Sequence, residues 1–231
     1  MQSFQQSFAH AWQLVVTGDA TLLEIVLLSL RVSITATLIA CILGLPLGAL
    51  LATQRFRGKW LVTLVINTLM GMPPVVLGLI VYMLLSNAGP LGWLQMLYTP
   101  SAMILAQTVL ILPIVAALSR QVIDDRWLDC RETFQSLCVP WHRSIFTMLR
   151  DCQISLFTVA AAGFARAISE VGAVIVVGGN INHLTRVMTT AIALETSKGD
   201  LALALALGAI LMTIALLVNA VVLGTRQRLM A

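Results

Sequence analysis

The chain has 231 residues, of which 59% are hydrophobic and 10% charged, with a mean hydropathy of +0.94. Soluble domains carry about 25% charged residues, so too little polar surface exists to cover a water-exposed body, and lipid must solvate much of the chain. The net charge of +4 and isoelectric point of about 9.2 do not indicate nucleic acid, because the basic residues lie in short gaps between apolar runs instead of along one stripe.

The opening segment, MQSFQQSFAHAWQLVVTGDA, has no basic start and no apolar core followed by a small-residue cleavage site. It does not read as a secretory signal peptide, and the first span is expected to direct insertion. A bilayer-crossing helix needs roughly 20 apolar residues, and five stretches meet or approach that length. The first covers 22–52, with Glu24 and Arg31 near its outer end, and the second, 60–85, has no charge. The third, 102–118, is shorter and uncharged; the fourth, 153–177, carries Arg166 and Glu170; the fifth covers 201–223. The fifth begins LALALALG, whose period would allow a strand. Its length and continuous apolarity favour a helix, and a lone strand cannot satisfy its backbone in lipid.

Basic residues cluster in alternate gaps. Arg55, Arg57 and Lys59 follow the first span, and Arg120, Arg126, Arg131, Arg143 and Arg150 follow the third. Arg226 and Arg228 end the chain, whereas 86–100 has no Lys or Arg and 178–200 has only Arg186 and Lys198. The positive-inside bias therefore predicts an external N-terminus and a cytoplasmic C-terminus. No linker or composition shift divides residues 1–231, which read as a single all-α membrane domain.

The cytosolic gap at 121–150 is too long for a turn. Trp127, Phe134, Trp141 and Met148 recur every seven residues, with Leu137, Ile145 and Leu149 beside them. The pattern is an amphipathic helix, and Pro140 is expected to split it into two. Such a helix–break–helix either docks into a groove on a soluble partner or lies on the membrane surface.

Three further motifs carry candidate chemistry. GMPPVVLG places Pro73 and Pro74 at or near membrane depth, which gives either a pore-side break or a packing kink. Arg166 and Glu170 share a helix face and should look inward, toward a pore or subunit interface, or else form a structural pair. Outside, NINHLTRVMTTAIALETSKGD supplies His183, Arg186, Thr189 and Lys198, groups able to receive an anion or simply to solvate a loop.

Cys41, Cys130, Cys138 and Cys152 match neither a metal pattern nor a secreted disulfide framework and read as packing residues. No metal site or cofactor is expected on the chain. The G-x-x-x-x-G-K-[ST], HExxH and GxSxG motifs are absent, so any nucleotide work belongs to another subunit. An intramembrane enzyme or a passive channel are the alternatives from other classes.

The series SLRVSITATLIACILGLPLGALLA, MPPVVLGL with SNAGPLG, and FARAISEVGAVIVVGGNI resembles the permease subunits of molybdate and tungstate ABC importers. TRVMTTAIALETSKGDLALALALG resembles the tungstate branch. The resemblance covers roughly residues 25 to 225 and implies the type I ABC importer permease fold in a bacterial-type inner membrane. It implies a homodimer, two ABC ATPase subunits that hold ATP and Mg, and an extracytoplasmic oxyanion-binding protein. The transported ion is expected to be tungstate, with molybdate, sulfate or another anion as alternatives. The cytosolic segment would carry the family's EAA loop, with Glu132, Thr133 and Phe134 at the Glu-Ala-Ala positions, Cys138 at the Gly position, and Arg150 and Asp151 at the later Leu-Pro. Glu132, Leu137 and Trp141 would make mechanical contact with the ATPase.

Overall fold

A computed structural model describes residues 20–230, with side chains to residue 225. The opening segment and the Arg226 and Arg228 side chains, both used in the insertion and orientation readings, lie outside the described residues. Among those described there are nine α-helices, one 3-10 turn and no strand. They are α1 (Ala20–Thr53), α2 (Lys59–Met70), α3 (Pro74–Leu85), the turn Gly92–Leu94 and α4 (Pro100–Ser136). Then follow α5 (Trp141–Asp151), α6 (Gln153–Ile168), α7 (Gly172–Gly178), α8 (Met188–Lys198) and α9 (Leu201–Met230).

Three helices, α1, α4 and α9, are long and apolar enough to cross a membrane singly; two bent pairs raise the number to five. The expected second span is one such pair. It is broken at 71–73 and α3 turns 103° from α2. Pro74 has no amide hydrogen and its ring disfavours a preceding helical turn, so it can only begin the next helix. The other pair, α5 and α6, is bent by 77° at Cys152.

Two further boundaries differ from the sequence expectation. The helix of the third span does not stop near 118: α4 continues to Ser136 and takes in the first half of the segment expected to be separate. No Gly or Pro occurs between Pro113 and Pro140, and an ion pair of 3.2 Å between Arg120 and Asp124 supports the exit from the apolar zone. The fourth span is interrupted at 169–171, between α6 and α7.

The bundle is organised on the contact between α1 and α4. Small residues on α1 let the two backbones approach closely, the usual route to tight packing where lipid removes the hydrophobic drive. A Cβ on Gly48 would fall 1.9 Å from Ser119 Oγ and 2.7 Å from the Ala116 carbonyl oxygen. Ala36 and Ala40 of α1 continue that seam against Ile111 and Val115 of α4, with Val159 and Ala167 of α6 closing it. At one end of the bundle Leu22 and Ile25 pack with Ile168, Met188 and Leu207. At the other, Ala49 and Ala52 pack with Ile123, Met148 and Leu156. Large apolar side chains such as Leu27, Ile42, Met83, Met212 and Leu216 point outward, as lipid contact allows.

Adding one methyl at the α1–α4 seam should therefore force the helices apart. Gly48→Ala is expected to lower stability by about 1–3 kcal/mol, read as a fall in the unfolding midpoint of the detergent-solubilised chain. Gly208→Ala, where an added Cβ meets nothing within 4 Å, should leave the midpoint unchanged or raise it.

Candidate docking turn and broken spans

The turn that joins α4 to α5 is built by the end of α4. The Cys138 amide donates to the Gln135 carbonyl and the Val139 amide to the Phe134 carbonyl, each at 3.1 Å. That pair of bonds is a Schellman stop, which requires a left-handed residue at its apex. Cys138 occupies the apex with φ 50°. A glycine would adopt this conformation without the side-chain clash that cysteine meets. Pro140 then opens α5 with φ −65°.

The members of the seven-residue series do not all face the core. Trp127 and Phe134 lie with ring centroids 5.3 Å apart and pack, with Ile145, Met148 and Leu149, against the end of the α1–α4 core. Arg126 Nε donates to Asp151 Oδ2 at 2.8 Å and ties α4 to the end of α5. In contrast, Leu137 is 69% exposed and Trp141 58%, with Phe146 exposed beside them on α5. Glu132 and Thr133 are exposed on the last turns of α4. Of the repeat, Trp127, Phe134 and Met148 anchor the segment, whereas Trp141, at the start of α5, stands outside the core.

The two motifs that contain breaks meet in the bundle. A Cβ on Gly172 would fall 2.6 Å from Val75 Cγ2, and one on Gly78 would fall 2.7 Å from Ala173 Cα. The start of α3, behind Pro73 and Pro74, thus sits directly on the start of α7. Glu170 is 3% exposed and holds the α6–α7 break. Its carboxylate accepts from Arg166 through one oxygen and from the Ala173 amide through the other, at 3.1 Å. The Thr189 hydroxyl donates to the Glu170 carbonyl at 2.7 Å. An acid that would be costly toward lipid is here saturated by a cation and an amide.

The expected external reception residues do not form one group. Thr189 is buried beneath the break. Lys198, at the far end of α8, pairs with Glu195 at 2.9 Å. Arg186 is half-buried, and its Nε is buried without a hydrogen-bond partner among the described residues. His183 sits beside Glu24 of α1 at 2.7 Å and closes the loop onto the bundle.

Residues 44–230 match the family model of the binding-protein-dependent transport system inner membrane component. The chain belongs to that family. A tungstate uptake system permease protein, TupB, from Peptoclostridium acidaminophilum is 40% identical over 227 residues, covering 98% of this chain and 100% of that protein. A probable anion ABC transporter permease protein from Haloferax volcanii is 41% identical over 212 residues, covering 90% of each chain. More distant is a molybdenum transport system permease protein, ModB, from Azotobacter vinelandii, 26% identical over 175 residues, covering 71% of this chain and 76% of that one. The helical bundle is accordingly the type I ABC importer permease fold in a multi-pass inner-membrane protein.

Two members of the buried polar network escaped the sequence reading. Gln107 is 3% exposed; its Nε2 donates to the Ala167 carbonyl at 3.1 Å, and its Oε1 has no partner among the described residues. A lone amide within the uncharged run 102–118 was the available signal, since a polar side chain at that depth needs a partner inside the protein. Ser29 accepts from the Met188 amide at 2.8 Å and pins α8 to α1, a contact that nothing in either local sequence announces.

Two substitutions probe these sites. Cys138→Gly should relieve the left-handed apex and raise stability by about 1 kcal/mol, seen as a higher unfolding midpoint, whereas Cys138→Val should lower it. Glu170→Ala leaves Arg166 unpaired and the Ala173 amide unsatisfied, and should cost about 2–3 kcal/mol. Glu170→Gln, which keeps an acceptor for the amide, should lose less in the same unfolding measurement.

Proposed function

We propose that this permease moves an oxyanion, tungstate before molybdate or sulfate, into the cytoplasm as one half of a homodimeric pore. The two chains would stand on a pair of ABC ATPase subunits, where ATP and Mg are bound, and would receive the ion from an extracytoplasmic binding protein. The end of the bundle that carries the α4–α5 turn would face the cytoplasm. It carries the dense group of cations at 55–59 and 120–150, as the positive-inside bias requires.

The exposed patch of Leu137, Trp141 and Phe146 carries this reading. Apolar side chains displayed on a turn that is fixed to the core by Trp127, Phe134 and Met148 form a rigid knob suited to a groove on a partner. Glu132, Thr133 and Cys138 belong to the same knob. ATP-driven closure of the ATPase pair would move these knobs together and re-orient the spans, giving alternating access by shifts of packed helices.

Pro73, Pro74, Arg166 and Glu170 would serve at the pore or subunit interface as the place where spans change direction. Arg186 is the group in the external loop proposed to meet a delivered anion, since its Nε lacks a partner among the described residues. Thr189 and Lys198 would act through structure, holding the break and α8. The preference for tungstate draws on the tungstate uptake permease that aligns with 98% of this chain.

Leu137→Asp or Trp141→Asp should abolish co-purification with the ATPase and reduce uptake at least tenfold, while membrane insertion persists; a buried charge at a docking contact costs a few kcal/mol. Wild-type assembly in both variants would remove the docking role. Calorimetric titration of the companion binding protein tests the substrate separately: failure to bind tungstate would overturn that assignment and leave the importer reading intact.

A further inference from the structure

A cavity of about 580 Å³ lies where α1, α2 and the extension of α4 meet, at the docking-turn end of the bundle. Its lining includes Arg55 and Lys59 from the α1–α2 connection, and Asp124, Trp127, Leu128 and Arg131 from α4. The volume is in the range of sites that hold small ligands.

The charges are unevenly matched. None of Arg55, Lys59 and Arg131 has an acidic partner within 4 Å among the described residues. Asp124 is the one acid in the lining, and Arg120 engages it at 3.2 Å from outside the cavity. Burial pushes the Asp124 carboxyl up, while Arg120 and Lys59 pull it back down. Lys59 and Arg131 are half-buried, and the one carboxylate in the lining, already engaged by Arg120, faces three cations. The site is electrostatically incomplete, and an anion would complete it.

The position narrows the anion's class. Thr53 ends one long apolar helix and Lys59 starts the next, so the cavity opens at the membrane–water boundary. Trp60 is 74% exposed beside Lys59, and Leu128 is 72% exposed on the cavity wall. Exposed aromatic and aliphatic side chains next to a cation cluster form the combination that receives a headgroup phosphate above and an acyl chain alongside.

We infer that Arg55, Lys59 and Arg131 form a binding site for a tetrahedral phosphate-type oxyanion, supplied by an anionic phospholipid headgroup or by a free ion. The site lies beside the docking turn, sharing Trp127 with its anchor, and contains no residue of the Glu170 break. The full-length chain in neutral detergent tests it by native mass spectrometry, with phosphatidylglycerol or phosphatidylcholine of identical acyl chains added. The wild type should retain phosphatidylglycerol about tenfold better than phosphatidylcholine, and the triple variant Arg55→Gln, Lys59→Gln, Arg131→Gln should lose that preference.

A second arm adds inorganic phosphate and reads the unfolding midpoint. A rise in the wild type that the triple variant loses, without a lipid preference, identifies the free ion as the source. Asp124→Asn guards against misfolding, because removing the lining acid should strengthen retention in whichever arm responds. The inference is overturned if the triple variant matches the wild type in both arms. It is equally overturned if the triple variant loses only ATPase co-purification, which would make these cations a protein-docking surface.

Discussion

The continuous backbone ladder of α4 constrains most of what surrounds it. From Pro100 to Ser136 the helix runs for roughly 55 Å at 1.5 Å per residue. Near one end Gln107 grips the Ala167 carbonyl just before the α6–α7 break; at the other end the helix terminates in the Cys138 stop. Pro113 removes one bond of the ladder but lies buried in the bundle, where its neighbours hold it. The helix thus links the turn to α1 along the Gly48 seam and to the α6–α7 break through Gln107.

The helices that follow the two breaks are packed against each other. Irregular backbone at membrane depth survives where protein or a water-filled path supplies its partners. Here Glu170 supplies an acceptor to the first turn of α7, Arg166 neutralises it, and Thr189 satisfies its carbonyl. Gly78 and Gly172 leave the room that lets α3 seat on α7. Such a cluster keeps polar groups satisfied in a low-dielectric interior.

The docking end separates anchoring from display. Trp127, Phe134, Ile145, Met148 and Leu149 fix the segment to the core, while Leu137, Trp141 and Phe146 stand outside it. The cation-lined cavity lies at the same end and shares Trp127 with the anchor.

Composition and apolar run length alone determined that this is a helical membrane protein, because a chain this poor in charge cannot be covered by water. The run of residues from Trp127 to Asp151 also announced a two-part segment broken at Pro140, since proline's missing donor acts locally. The tertiary structure decided the rest. Whether the helix after 118 continues or stops, which members of the seven-residue pattern face inward, and that Thr189 supports Glu170 depend on neighbours distant in sequence. The same holds for the meeting of the proline break with the Glu170 break: it rests on glycine-sized gaps between α3 and α7, and a one-dimensional pattern does not encode which gap receives which helix.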